Sequence, residues 1–265
     1  MPFDLDAYHR YRTSHSLGAI VAARELTTST MDDARAGAAA GGLPGTVYLA
    51  DAQTAGRGRL GRPWASAGEG LYVTYHLAVR ESPTVPLYAV VAALAVSDAI
   101  RETAHLATNL KWPNDVLYQG RKLAGILAEA VHHERVDVFL GIGVNLRAGA
   151  IPPELAATAT SVESEAAATT PSREELLAAL SSALERHVSQ LARSPAVVIE
   201  QWRSRLVTIG QRVRLTAASR TPGTPGTPGE VHEGEAVDVS PRGELIVRLA
   251  DGTLASYAAG DVTTA

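Results

Sequence analysis

The 265-residue chain has no cysteine, and lysine is almost missing: of 24 basic residues only Lys111 and Lys122 are lysine. Without cysteine there can be no disulfide, no thiolate metal ligand and no thioester acyl-enzyme. A basic excess is also lacking. The net charge of −4 excludes a general affinity for nucleic acid. The N-terminus, Met1-Pro2-Phe3-Asp4-Leu5-Asp6, has no basic-then-apolar order of a secretion signal. The most apolar run, residues 88–96, is far too short to span a bilayer. These absences leave a cytoplasmic globular protein with no membrane partner. Its hydrophobic fraction of 46% and charged fraction of 20% are ordinary, and its length allows one sizeable domain plus a small one.

The two lysines fall in one stretch, Lys111-Trp112-Pro113-Asn114-Asp115 running on to Gly120-Arg121-Lys122-Leu123-Ala124-Gly125. A general drift towards arginine explains why lysine is rare, but not why both survivors lie together. Lysine is a compact point charge and arginine a rigid planar fork, so a site that needs a single donor in a tight pocket retains lysine. At least one of the two is expected to be a site residue.

A short helical turn is expected over residues 4–12 and a strand over 20–26. Ser29 or Thr30 can cap a helix over 31–40, stopped by Gly41 and Gly42. The same hydroxyl pair, beside backbone donors at a helix start, also suits a small polar head group. A buried strand over 46–50 runs into a loop with Gly56, Gly58 and Gly61 at dinucleotide-binding spacing. That fingerprint needs a helix to open at the loop. Pro63, Ser66, Gly68 and Gly70 follow instead, and 71–79 reads as another strand, so a Rossmann site is rejected. A Walker loop fails because Arg62 and Pro63 follow Gly61. What remains is a glycine-rich loop carrying Arg57, Arg59 and Arg62. Guanidinium groups suit phosphate oxygens, and Trp64 at the loop's end can cover an apolar or aromatic ligand.

Residues 86–103 read as a buried helix. Trp112-Pro113 keeps Lys111 out of any helix. Strands over 116–118, 122–131 and 136–144 form an antiparallel meander. Gly125 inside a strand marks a close approach of backbone or ligand. Asn114 and Asp115 either hold a metal or ribose or lock the turn. Asn145 closes the motif Gly141-Ile142-Gly143-Val144-Asn145, and His132 and His133 read as surface residues. Residues 148–170 read as a long loop. Ser172-Arg173-Glu174-Glu175 opens a helix to residue 192 whose apolar face runs through Leu177, Leu180, Leu184, Val188 and Leu191. A second helix covers 195–206. Four short strands follow, over 212–215, 234–239, 244–249 and 254–258, and read as a small β-barrel. The Thr-Pro-Gly repeat over 221–229 reads as a low-complexity flexible loop.

Taken together, Ser29-Thr30, the loop from Gln53 through Gly56, Arg57, Gly58, Arg59 and Arg62 to Trp64, the Lys111 and Lys122 motifs, and Gly141 to Asn145 resemble the biotin–protein ligases. The resemblance implies an α+β fold: a mixed, largely antiparallel sheet with helices, like the class II aminoacyl-tRNA synthetases, over 1–207. A small SH3-like barrel would occupy 208–265. It implies that ATP, with Mg2+, activates biotin as biotinyl-AMP and that biotin passes to a lysine of a biotin carboxyl carrier protein. By this likeness Ser29, Thr30, Met31 and Gln53 hold biotin, with Gly56, Gly58 and Gly125 lining the site. Arg57, Arg59 and Lys122 act on the reacting groups and touch both substrates. Arg62, Trp64, Lys111, Asn114, Asp115 and Asn145 fall to ATP, with Asp115 a candidate magnesium ligand, while Thr160 and Ser161 lie near the adenylate loop. Met31 stands where many relatives have asparagine, which implies backbone contacts only, and Leu60 stands where a basic residue is common. The family's larger members carry an N-terminal DNA-binding domain. Too few residues precede the motifs here for one, so a repressor role and a nucleic-acid partner are not expected. Two alternatives are a lipoate or octanoate ligase, and a biotin-binding module without catalysis. The intact basic loop and Lys122 oppose the second.

Overall fold

The computed structural model describes residues 2–79, 84–167, 169–217 and 229–264; the Thr-Pro-Gly repeat lies almost wholly outside the described residues. Helix α1 (Leu5–Tyr11) is capped by Asp4, which accepts from Ala7 N. Strand β1 (Val21–Thr27), helix α2 (Thr30–Ala39) and strand β2 (Val47–Gln53) form a β-α-β crossover, which makes β1 and β2 parallel. Every other pair in the seven-stranded sheet is antiparallel. The sheet is completed by β3 (Leu71–Val79), β4 (Asn109–Lys111), β5 (Asp115–Tyr118), β6 (Arg121–His132) and β7 (Val136–Val144), in the order β1-β2-β3-β7-β6-β5-β4. The fold is thus α+β with a mixed, largely antiparallel sheet.

Between β3 and β4 lies α3 (Tyr88–Ala104), entered through a 3₁₀ turn at Val85–Leu87 and buried along most of its length. It carries one acid into the core. Asp98 accepts from His187 Nε2 at 2.8 Å, Arg205 Nη1 at 2.8 Å and Arg101 Nη2 at 3.0 Å. Burial alone would raise its carboxyl, but the bonds from His187 and Arg205 outweigh that and bring it down to about 2. Helix α3 packs on one face of the sheet and α2 on the other. The loop expected over 148–170 is not structureless. It contains 3₁₀ turns at Ala148–Ala150 and Pro153–Leu155 and a four-residue helix α4 (Val162–Glu165), capped by Ser161. Periodicity could not reveal pieces this short.

Helix α5 (Arg173–Arg193) starts at the expected capping box between Ser172 and Glu175, and its expected apolar face packs into the core. Helix α6 (Pro195–Arg203) follows. The C-terminal sheet is antiparallel throughout and contains β8 (Arg212–Ala217), β9 (Val231–Val239), β10 (Leu245–Leu249), β11 (Leu254–Tyr257) and β12 (Gly260–Thr264). Its order is β11-β10-β9-β8-β12. The fifth strand, β12, was not expected: a Gly-Asp-Val-Thr-Thr run carries too little apolar alternation. The two sheets are joined by Trp112, whose Nε1 donates to Gly243 O at 3.1 Å, and by Arg203 on Asp238. Among the described residues no helix is long and apolar enough to cross a membrane.

Candidate functional site

The site is a cavity of about 360 Å³ on the α2 face of the sheet. Its polar end is built where β1 hands over to α2. Ser29 is the N-cap, and its Oγ accepts from Met31 N. The backbone donors at this helix start are taken up within the protein, as the cap reading has it. Thr30 N donates to Gln53 Oε1 at 2.8 Å, and Asp32 N to Ser29 O. The hydroxyl pair is therefore both a cap and a cavity wall. The Thr30 hydroxyl lies 2.9 Å from that of Thr74, and Gln53 Nε2 donates to Ser66 Oγ at 2.8 Å. This chain from Thr74 through Thr30 and Gln53 to Ser66 fixes which end of the Gln53 amide is donor and which is acceptor. Sequence reasoning missed Thr74 and Ser66. Thr74 is a polar residue facing inwards from a fully buried stretch of β3, which was the available signal.

The floor of the cavity is glycine. A Cβ on Gly143 would collide with the Trp64 indole, one on Gly125 would lie 2.8 Å from Trp64 Cζ3, and one on Gly141 would lie 2.9 Å from Met31 Cε. Trp64 thus lies flat on β6 and β7 only because Gly125 and Gly143 lack side chains. Met31 contributes its side chain to the floor, and not backbone alone as expected from its departure from the family pattern. Gly56 is held equally tightly: a Cβ there would reach Ser66 Oγ at 2.6 Å.

The other end is basic. Arg57, Arg59, Arg62, Lys111 and Lys122 line the cavity against the carboxylates of Asp115 and Asp261, an excess that suits a polyanion. Each loop arginine has a protein acceptor. Arg57 pairs with Asp32 and Arg62 with Asp261, while Arg59 donates to Asn114 Oδ1 at 3.3 Å and Gly260 O at 3.4 Å. Burial of Arg59 lowers its pKa, partly opposed by the nearby Asp115. The loop itself is a tight turn, closed by Gly58 N on Arg62 O and Trp64 N on Gly56 O. Lys122 Nζ lies 2.6 Å from Asp115 Oδ1 and 5.2 Å above the Trp64 ring. Asn114 locks the turn into β6, donating through Nδ2 to Ile126 O at 2.7 Å.

Behind Lys122 a second cavity of about 720 Å³ opens, and Lys122, Lys111, Trp64, Asp115 and Arg62 border both. Asn145 lies on its wall, buried, and gives its amide to Thr160 O at 3.1 Å. His132 and His133 are exposed, as expected. Among the described residues no group of three His, Cys, Asp or Glu could hold a metal ion.

The biotin/lipoate A/B protein ligase family matches residues 25–145, and the biotin protein ligase C-terminal domain matches 226–263. The biotin–[acetyl-CoA-carboxylase] ligase of Mycobacterium tuberculosis is 35% identical over 89% of this chain and 85% of its own length. The chain belongs to the biotin protein ligase family. The bifunctional ligase/repressor BirA of Bacillus subtilis is 32% identical over 81% of this chain and 65% of its own length. Among solved structures, the Aquifex aeolicus biotin protein ligase in complex with biotin and ATP superposes with a TM-score of 0.78 at 25% identity, covering 93% of this chain and 99% of that one. The Leishmania major biotin protein ligase with biotinyl-5-AMP gives 0.62 at 28% identity, covering 91% and 99%. In this ligase the C-terminal sheet shares in the site: β12 supplies Asp261, Val262 and Thr263 to the wall of the first cavity, and its Gly260 carbonyl accepts from Arg59.

Proposed function

We propose that this ligase activates biotin with ATP and transfers it to a lysine of a biotin carboxyl carrier protein. The single observation that carries the reading is Lys122, whose ammonium stands on the wall shared by the two cavities. One chamber has a hydrogen-bonding end suited to the biotin ring, at Ser29, Thr30 and Gln53. The other is large enough for a nucleotide and is bordered by Trp64 and Asn145. The reacting carboxylate and α-phosphate meet where the chambers join.

In the first step a biotin carboxylate oxygen attacks the α-phosphorus, and the bond to the bridging β-phosphate oxygen breaks, releasing pyrophosphate. Lys122, Arg57 and Arg59 oppose the charge that builds on the phosphorane, and such fixed cations are the main expected contribution. Met31, Gly56, Gly58 and Gly125 shape the biotin chamber, and Arg62, Lys111 and Asn114 face the phosphates. In the second step the carrier lysine, as free amine, attacks the anhydride carbonyl and AMP leaves with the bonding pair. A loop drawn over the adenylate shields it from water. Asp115 is the lone carboxylate beside Lys122 and is tied to it, so this donor set does not build a metal site. Magnesium would enter with the nucleotide. The division into a ligase unit over 1–207 and a small barrel over 208–265 belongs to this reading.

Pyrophosphate release from ATP with biotin, lipoate or octanoate offered separately tests it. Release with biotin alone is expected. Release with lipoate or octanoate in preference would overturn the substrate, and none with any of them would leave a binding module.

A further inference from the structure

We infer that Glu165 is a positioning residue: through Thr160 and Arg121 it fastens segment 158–160 to the backbone of Lys122, and so fixes where that ammonium points. The inference rests on the role given to Lys122 above.

Lys122 sits at an irregularity. The β5–β6 register pairs Val116 with Ala124 and Leu117 with Lys122, so one residue of β6 is unmatched. Lys122 turns its backbone polar groups towards the 158–160 segment. Its N–H donates to Thr158 O at 2.8 Å, and its carbonyl accepts from Thr160 N at 2.9 Å, which pairs Lys122 with Ala159 as a lone parallel bridge. A two-bond bridge from a connecting loop is fragile unless side chains hold the loop in place.

Glu165 does so. It ends α4, only five residues beyond Thr160, and its side chain is 11% exposed. Its Oε1 accepts from Thr160 Oγ1 at 2.6 Å and from Arg121 Nη2. One carboxylate therefore grips both the residue before Lys122 and Thr160, whose N–H bonds the Lys122 carbonyl. Charge-assisted bonds of this kind are the stronger class. Asn145 closes the box from the other side through Thr160 O. Outside the box, the Lys122 side chain is aimed by Asp115 and Trp64 alone. Thr158 and Ala159 also line the second cavity, so the same clamp keeps the wall of the nucleotide chamber in place. Glu163, two positions earlier, makes a comparable pair with Arg147 but remains 40% exposed and touches nothing of Lys122.

The test uses the full chain and the variants Glu165→Ala, Glu165→Gln and Thr160→Val, with Glu163→Gln as control. Because only two lysines exist, labelling with an amine-reactive ester followed by peptide mass mapping gives a Lys122-to-Lys111 ratio free of other side-chain amines. Glu165→Ala should raise that ratio at least ~3-fold and slow single-turnover pyrophosphate release by ~10-fold or more with a higher KM for ATP, as misplacing a reacting group does. Biotin affinity should change less than ~2-fold, its ring contacts lying elsewhere. Glu165→Gln keeps an acceptor for Thr160 and should fall between, while Glu163→Gln should match the wild type. A lower melting temperature with an unchanged ratio and rate would make Glu165 structural only and overturn the inference. If the wild type released no pyrophosphate with biotin, the functional reading would fall, and the labelling ratio would still decide whether Glu165 positions Lys122.

Discussion

Replacing Lys122 separates catalysis from stability more cleanly than any other change at the site. Its side chain is 33% exposed and pairs with Asp115, which is 23% exposed, at 2.6 Å. A pair this open to solvent is worth about 0–1 kcal/mol, and in a protein of this size that shifts Tm by at most about 2–4 °C. The catalytic cost has another scale. A fixed donor aimed at charge that develops in the transition state is worth about 100- to 1000-fold in rate. Lys122→Ala removes the charge. Lys122→Arg keeps it but asks a planar fork to occupy space bounded by the Trp64 ring and by Gly125, whose added Cβ would already lie 3.2 Å from Lys122 Cε. Both variants should therefore lose at least ~100-fold in adenylate formation, with biotin binding largely retained. Lys111, at the end of β4, borders the same cavities without such confinement, and Lys111→Arg should lose less than ~10-fold. Single-turnover adenylate formation with arginine and alanine variants of both lysines, alongside thermal melting, reads both effects. A near-normal rate in Lys122→Arg would refute the reasoning and show that composition, not chemistry, left that lysine in place.

Arg57→Ala should speed release of the adenylate with little change in Tm, since its partner Asp32 is exposed; Arg59→Ala should do the same and also lower Tm, because Arg59 is half-buried and reaches Asn114 and Gly260. Release of labelled adenylate and melting curves check both. Gly143→Ala should drive Trp64 off the sheet and raise KM for ATP by ~10-fold or more, and unchanged nucleotide kinetics would show that the indole does not shape that chamber. On the acid side, the folded Asp98 carboxyl at about 2 lies below its ordinary value of 3.8, so it contributes stability that is fully present above about pH 4 and is lost as pH falls towards 2. That difference is worth about 2 kcal/mol, and Asp98→Asn should flatten the acid limb of a stability–pH profile while lowering stability at pH 7.

Much of the site was legible because its chemistry is written in local runs. Ser29, Thr30, Gln53, the loop arginines, Trp64 and both lysines converge on one cavity; β3, β5, β6 and β7 lie within one residue of the expected bounds, whereas β2 runs three residues past its expected end and β4, which carries Lys111, was not expected as a strand. The α5 helix was equally plain, since a capping box and a five-leucine-class stripe coincide. What stayed hidden depends on backbone pairing between distant segments. The crossover that makes β1 and β2 parallel reads in sequence as a strand, a helix and a second strand, with no rule to say how the two strands pair. The 158–160 segment reaches Lys122 through main-chain groups only, and main-chain groups leave no trace in residue type.

The C-terminal strand β12 shows the same limit with a larger consequence. With every motif of the resemblance ending at Asn145, nothing in the motifs marks the barrel as part of the site. Yet Gly260 and Asp261 take up Arg59 and Arg62, and Val262 and Thr263 complete the cavity wall. The two loop arginines proposed to face phosphate are therefore held by the second sheet as well. Binding of a phosphate by Arg62 must compete with the Asp261 carboxylate, whereas Arg59, held by a neutral carbonyl and an amide, can bind phosphate without giving up an ion pair. Of the two, Arg59 is then the cation freer to meet the nucleotide proposed here, and Arg62 the one whose charge is tied to the C-terminal sheet.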